Sequence, residues 1–376
     1  MSASAVPRSR TAVLTALRHA GELTQVEIVA ATGLTAGTVS TVVGGLIDDG
    51  VVRVRDVVRT GRRARAVSLA GPGGPLIGVH CYLDQVRVLL DPGDGRAWSE
   101  AIRVLPDGHR AELAATAARE LSADLLAAAD IDPGRVLRAA VGIPAPVEVR
   151  TARVGGAGVR DGWGTVVATP GAFGPWPVDF DNEGNLSALA EARLGAGRGR
   201  ATVVQVSLSQ GVSGGIVHDG ELVHGRTGTA GELGHLTIDP HGPVCSCGNR
   251  GCLQVYAGSQ AIIGLLAASH GRLSVAEVLD LAAQGDPGCR RVLSDVGRHL
   301  GTAMASVCTV LDPDVLVVGG ALSRAGNLLL DPLREVLAER TAVTSGAVVE
   351  VVAGVLGAAA PARGALLLAQ DAALAR

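Results

Sequence analysis

Between residues 231 and 258 the chain reads GELGHLTIDPHGPVCSCGNRGCLQVYAG, and no other stretch restricts the possible folds as much. It holds His235, then nine residues, Cys245, then one, Cys247, then four, Cys252. The whole sequence has six cysteines, so half of them share one glycine-rich turn. Thiolates and an imidazole at such tight loop spacing suit a tetrahedral zinc ion. Three Cys and one His close the coordination sphere and leave no position for an activated water. The expected metal is therefore structural, a clip that pins a loop. Two alternatives stay open. A single disulfide would leave an odd thiol, and His241, in a Pro and Gly turn, is a rival fourth ligand.

No secretory pattern opens the sequence: TAVLTALRHA is broken by Arg18 and His19 and lacks a cleavage signature. No apolar run approaches the roughly 20 residues that a membrane span needs. The chain is expected in the cytoplasm and away from membranes, where clustered cysteines serve metals rather than disulfides. At 376 residues, 47% hydrophobic and 18% charged, it has the composition of a globular protein with two or three domains. All basic residues are Arg, which reads as coding bias rather than function. Charge is uneven along the chain. Residues 1–70 hold nine Arg against five acids, about +4, and the remainder holds 24 Arg against 31 acids, about −7. A basic head on an acidic body suggests that the head meets a polyanion.

Residues 1–70 read as three short helices followed by a hairpin. Val13, Leu14 and Leu17 give the first helix its apolar stripe. Thr24 with Glu27 forms a capping box for the second, Val26, Val29 and Ala30 are expected to face inward, and Gly33 ends it. Thr35 caps the third helix, which buries Val39, Val42, Val43 and Leu46. Two helices across a tight glycine turn make a helix-turn-helix. The runs VVRVRDVV and RARAVSLA around RTGRR then form a wing carrying Arg59, Arg62, Arg63 and Arg65. Such a tip suits phosphates or a narrow minor groove. The third helix would enter the major groove of double-stranded DNA with Thr35, Thr38, Ser40 and Thr41 outward. Short hydroxyl side chains are weak base readers, so the wing and DNA shape are expected to supply much of the specificity.

After a GPGGP linker at 71–75, the body spans residues 76–376. LIGVHCYLDQVRVLL reads as a strand pair, and RAAVGIPAPVE, TVVQVSLSQGVSGGIV and DVLVVGGAL as buried strands ending in Gly or Pro. NLSALAEARLG and CRRVLSDVGRHLGTAMASVCTVL have helical spacing. The alternation gives an α/β body of two lobes.

AGELGH and CSCGNRGCLQ, preceded by AVGIPAPVE and followed by LDPDVLVVGGALSRAG, resemble the ROK family of repressors, open reading frames and sugar kinases. The resemblance covers the body and, with the winged head, essentially the whole chain. It implies an α/β, two-lobed actin-like (ribonuclease H-like) body with a sugar in the cleft, preceded by an all-α-plus-wing winged helix-turn-helix domain. It also implies zinc on His235, Cys245, Cys247 and Cys252, and a sugar pocket lined by Asn182, Glu183, Glu232, His235 and Gln254. His235 would serve both sites, so the clip would hold Glu232 and His235 against the sugar.

Family members are kinases or sugar-responsive repressors, and three departures favour the second. The kinases' Asp-x-Gly-x-Thr phosphate loop aligns with GVHCYLDQV: His80 stands for the Asp, Tyr82 and Leu83 for the glycines, and Asp84 near the Thr. Bulky side chains block backbone approach to phosphate, and a carboxylate repels it. The catalytic Asp is Glu183, one methylene longer and misplaced for proton transfer. The usual Glu after GCL is Gln254, which keeps hydroxyl recognition without the charge. The resemblance therefore implies a non-enzymatic, sugar-responsive repressor of carbohydrate uptake or catabolism genes. It would bind an inverted-repeat operator as a homodimer or homotetramer. A constitutive regulator with a decayed sugar site, or an active kinase with a fused head, are the alternatives.

Overall fold

The computed structural model describes residues 5–59, 62–71, 73–106, 108–155, 162–341 and 349–374. The wing tip at 60–61 and the side chains of Arg59 and Arg62 lie outside the described residues, and so do the DNA contacts expected of them.

Local chemistry sets the head. Helix α1 (Ala5–Ala20) leads to the short strand β1 (Glu22–Thr24). Thr24 caps α2 (Gln25–Thr32): its hydroxyl accepts from the Glu27 N–H, while the Glu27 carboxylate accepts from the Thr24 N–H at 2.7 Å. Gly33 stops α2 in the left-handed region, at φ 67°. Thr35 caps α3 (Ala36–Asp48), and β2 (Val52–Arg59) and β3 (Arg62–Leu69) form an antiparallel hairpin with β1 on its β3 edge. Val13, Leu17, Ile28, Val39, Val43 and Leu46 make the head's core. The expected inner face of α2 is corrected here. Val26 is 79% exposed and Ala30 is exposed, while Ile28 is buried and Val29 half-buried. Val26 and Ala30 each lie two residues from Ile28, about 200° around a helix of 3.6 residues per turn, so they point the opposite way.

The body builds one topology twice. In the first lobe β4 (Leu76–Cys81), β5 (Gln85–Asp91) and β6 (Ser99–Val104) form an antiparallel meander. Helix α4 (Ala111–Ala128) leads to β7 (Arg138–Ile143), the small hairpin β8 (Val147–Glu148) and β9 (Arg153–Val154), helix α5 (Trp163–Ala168) and β10 (Val178–Asn182). The sheet order is β10-β7-β4-β5-β6, with β10, β7 and β4 parallel. Helix α6 (Glu183–Leu194) then crosses to the second lobe. There β11 (Thr202–Leu208), β12 (Val212–His218) and β13 (Glu221–Leu222) repeat the meander. The cysteine turn, α7 (Gln254–Ala257), α8 (Ser259–His270), α9 (Val275–Ala283) and α10 (Pro287–Leu311) precede β14 (Val315–Gly319). Helix α11 (Asn327–Thr341) leads to β15 (Glu350–Ala353), in the order β13-β12-β11-β14-β15. Helix α12 (Ala360–Leu374) carries the chain back to the first lobe. Two copies of a meander extended by two parallel strands give the two-lobed, actin-like α/β architecture. The parallel strands β7 and β14 are almost wholly buried, as strands covered on both faces must be.

Helix α6 is the layer between the lobes. Leu186 packs with Leu76, Ala140 and Leu366 of the first lobe and its return helix. Ala188 and Ala192 pack with Val203, Val217 and Val317 of the second. Helix α12 touches α6 backbone to backbone, because a Cβ on Gly364 would stand 1.9 Å from the Leu186 carbonyl oxygen. The head rests on these two helices, with Leu374 packed against the head's core. Among the described residues no single helix is long and apolar enough to cross a membrane.

Gly364→Ala is expected to destabilise the body by about 1–3 kcal/mol or more, because backbone must move to admit the methyl. Gly264→Ala, in α8 with open space around its Cβ position, should instead stabilise by up to about 1 kcal/mol. Urea denaturation of the two variants checks the contrast.

Candidate functional site

A cleft of about 1110 Å³ opens between the lobes, lined among others by His80, Tyr82, Glu183, Gln210, Gly211 and Gly320. Its walls are strand ends. His80 sits near the end of β4, Tyr82 at the β4–β5 turn, and Gln210 at the β11–β12 turn. Glu183 opens α6 directly after β10. His80 Nε2 lies 3.0 Å from Glu183 Oε2, and both side chains are largely withdrawn from solvent. The Tyr82 hydroxyl accepts a hydrogen bond from the Gln210 N–H at 2.9 Å, joining the two hairpin tips across the waist. Burial, then the charges of Glu183 and Asp84, push the Tyr82 phenol well above its ordinary range, so it stays neutral.

The five expected sugar residues occupy different places. Glu183 lines the cleft. Asn182 is the N-cap of α6, its Oδ1 accepting from the Gly184 N–H at 2.7 Å. Glu232 starts the tight turn Leu233–His235, and its carboxyl is raised by burial and then by the charge of Glu183. Gln254 Oε1 accepts from the Val212 N–H at 2.7 Å, which fixes the base of the Gln210 turn. His235 faces the cysteines.

Sequence reasoning missed a second bond between the lobes. Asp181, fully buried at the end of β10, accepts from the Asn182 N–H, from Asn185 Nδ2 at 2.8 Å and from His224 Nε2 at 2.6 Å. Burial disfavours charge on His224, but the hydrogen bond and negative charge of Asp181 outweigh it, so its pKa is raised. Asp181 and Asn185, four apart across a helix start, were a visible signal; nothing in the sequence marked His224.

The cysteine turn brings four ligand atoms together. His235 Nδ1 is 3.6 Å from Cys245 Sγ, and Cys247 Sγ is 3.7 Å from Cys252 Sγ. All four atoms lie within 4.8 Å of one another. Metal–sulfur bonds of about 2.3 Å in a tetrahedron imply sulfurs about 3.8 Å apart, so the donor set fits a tetrahedral ion. A disulfide needs about 2.0 Å, and these cysteines are free. His241 is exposed and outside the cluster, its N–H donating to Asp239 Oδ1 at 2.9 Å. Backbone bonds shape the turn without metal, among them Cys245 N–H to Asn249 O at 2.7 Å and Leu253 N–H to Leu236 O at 2.8 Å.

In the head, Thr35, Ser40 and Thr41 are exposed and Thr38 is half-buried. Thr35 and Thr38 share a hydroxyl contact of 2.9 Å, and Thr41 Oγ1 donates to Gly37 O at 3.0 Å. Their hydroxyls are thus partly engaged within the helix. Arg63 and Arg65 project from β3 into solvent, whereas Arg55 is paired with Glu22.

A winged head on a duplicated body, with a cleft between the lobes and a Cys/His turn, defines an actin-like cleft protein fused to a DNA-binding type of domain. The chain belongs to the ROK family, which it matches over residues 123–372, and residues 6–63 match the MarR family. It is 35% identical over 204 residues to a glucokinase of Thermotoga maritima, covering 48% of this chain and 64% of that one. It is 32% identical over 188 residues to the xylose repressor of Bacillus subtilis, covering 50% of this chain and 49% of the repressor. The matches thus span about half to just under two thirds of these relatives' length. A crystal structure of a ROK family transcriptional regulator, a homologue of the E. coli MLC protein, superimposes with a TM-score of 0.73 at 24% identity, covering 98% of this chain and 97% of that one.

Two outcomes are expected. Cys247→Ser removes one of the four candidate donor atoms, so any metal that the purified protein carries should fall several-fold by mass spectrometry, with a lowered melting temperature. The Asp181–His224 bond should make stability depend on pH in one direction. Because the folded pKa of His224 is raised, its contribution is complete below about 6.5 and is lost as pH rises through the folded value. The stability difference between wild type and His224→Gln should therefore be larger at pH 6 than at pH 9, read by urea denaturation.

Proposed function

We propose that this chain is a sugar-responsive transcriptional repressor of carbohydrate uptake or catabolism genes, working in the cytoplasm without kinase activity. The observation that carries the reading is the state of the cleft beneath a winged head. Hydroxyl-reading side chains remain, but the strand turn that should receive phosphate is filled by Tyr82 and tied to Gln210. Backbone amides cannot approach a phosphate past that ring. Glu183, at the position of the family's catalytic Asp, is held by His80. A base must reach the reacting hydroxyl to act on it, and this carboxylate already has a partner.

In this reading a small neutral sugar sits against Glu183, with Asn182, Glu232, His235 and Gln254 in the turns around it. Zinc on His235, Cys245, Cys247 and Cys252 is structural and stiffens the turn that carries Glu232. Residues 1–70 form the DNA-binding domain and 76–376 the sugar-binding and oligomerising body. Thr35, Thr38, Ser40 and Thr41 enter the major groove, and Arg59, Arg62, Arg63 and Arg65 serve the wing. Two heads of a homodimer, or of each half of a homotetramer, meet an inverted-repeat operator.

The test is selection of genomic DNA fragments by the purified protein, with and without D-xylose, D-glucose and other free sugars. An enriched inverted repeat whose retention one sugar alters supports the reading. Enrichment that no sugar alters favours a constitutive regulator. No enrichment, together with ATP-dependent phosphorylation of a hexose, would establish the kinase instead, which the glucokinase relative keeps in view. On the selected fragment, Arg63→Ala with Arg65→Ala should weaken binding and reduce the salt slope by about 1 for each phosphate that is no longer neutralised. An unchanged slope would remove β3 from the DNA interface.

A further inference from the structure

Helices α6 and α12 both begin at the cleft and end at the head. Glu183, the first residue of α6, and Pro361, in the first turn of α12, line the cleft. At the other end lie Arg193 in the last turn of α6 and Asp371 and Leu374 in the last turn of α12. At 1.5 Å per residue the helices are about 18 and 22 Å long. They pack as one rod. Every residue from Gly184 to Ala192 is buried, and Gly364 brings the two backbones into contact. The buried Glu191 carboxylate accepts from the Ala196 and Leu356 N–H groups, each at 2.9 Å, lashing the end of α6 to the loop before α12.

At the head end a single carboxylate sits between two guanidinium groups. Asp371 Oδ2 is 2.8 Å from Arg193 Nη2, and Asp371 Oδ1 is 3.2 Å from Nε of Arg18, on α1 of the head. Their side chains are only 22%, 7% and 16% exposed, for Asp371, Arg193 and Arg18 respectively, so water screens them poorly. Arg193 is further fixed by donating to the Gly220 carbonyl from Nε at 3.0 Å and Nη2 at 2.6 Å. Arg18 Nη1 also reaches Glu221, on β13 of the second lobe, at 3.3 Å. Arg193 belongs to the rod and Arg18 to the head, so the position of Asp371 is where motion of one becomes motion of the other.

We propose that Asp371 is a positioning residue that couples occupancy of the cleft to the docking of the winged head. The proposal rests on the regulator reading above. A ligand that displaces Glu183 from His80 shifts the cleft end of the rod. The head end then favours or releases the Arg18 contact, giving two discrete arrangements of α1. Such a contact is bistable because an ion pair of this burial is either made or broken.

The test pairs two readouts. In the first, Glu183→Gln perturbs the cleft with no ligand, and hydrogen exchange follows the last-turn amides of α1, residues 17–20. Exchange there should change at least about threefold in Glu183→Gln, and should not change when Asp371→Asn is also present. In the second, affinity for the selected DNA fragment is measured with and without saturating D-xylose or D-glucose. Asp371→Asn should keep sugar affinity within about twofold while the sugar-induced change in DNA affinity shrinks to under about twofold. A merely structural residue would lower stability without removing that change. Should Asp371→Asn fail to fold, Arg18→Gln removes the head's side of the contact, leaves Arg193 and Asp371 paired, and should abolish the sugar-induced change in the same way. Cleft amides that respond to Glu183→Gln while α1 does not, or a sugar effect that survives in Asp371→Asn, would overturn the proposal. If neither sugar alters DNA affinity of the wild type yet α1 still responds through Asp371, the coupling stands and the effector part of the regulator reading fails.

Discussion

Everything in the body hangs on the backbone contact between α12 and α6. A methyl group at Gly364 would overlap the Leu186 carbonyl, so the helices can meet only with glycine there. The same closeness recurs beneath them: a Cβ on Gly78 of β4 would stand 2.6 Å from the Ala362 carbonyl. Close helix and sheet layers leave room for small residues only, and Ala140, Ala362, Ala365 and Ala369 fill that seam. Interiors this dense transmit displacement rather than absorbing it. The lobes therefore share a closely packed element, with the cleft at one end and the head at the other.

Charge placement in the cleft follows from that geometry. Strand ends β4 and β10 are adjacent to β7 in one sheet, so His80 and the start of α6 come within hydrogen-bond reach. The His80 imidazole lies opposite Glu183, whose negative charge Glu232 also feels. Where a phosphate loop would need bare backbone, a tyrosine spans the gap and bonds the opposite lobe. Asp181 and His224 make a second tie. Among the described residues the Tyr82–Gln210, Asp181–His224 and Arg150–Arg226 hydrogen bonds tie the lobes together, beside apolar packing along α6.

Much of this was legible in the sequence because its signals are local. Capping at Thr24 and Thr35, the glycine stop at Gly33 and the alternation of β2 and β3 depend on neighbours a few residues away. The clustering of His235, Cys245, Cys247 and Cys252 is legible for the same reason, since a turn of this length leaves their side chains little choice. The face of α2 was misread because a helix of two turns carries too few apolar residues to define a stripe, and only packing against α1 and α3 selects Ile28. The Tyr82–Gln210 and Asp181–His224 bonds were invisible because they join residues 128 and 43 positions apart. The seat of the head on α6 and α12 is equally non-local: Leu374 looks like a helix-end leucine until the head's core is seen beside it.

The cysteine turn and the cleft are mechanically one object. Gly234, one residue before His235, is pressed against Val212, since a Cβ there would stand 2.3 Å from the Val212 carbonyl. Gln254, two residues after Cys252, holds the Val212 N–H from the other side. Val212 begins β12, and the turn before it carries Gln210, which bonds Tyr82 and is gripped by Ser259 Oγ at 2.8 Å. A metal on the four ligands would therefore stiffen the floor on which the second lobe's hairpin tip rests.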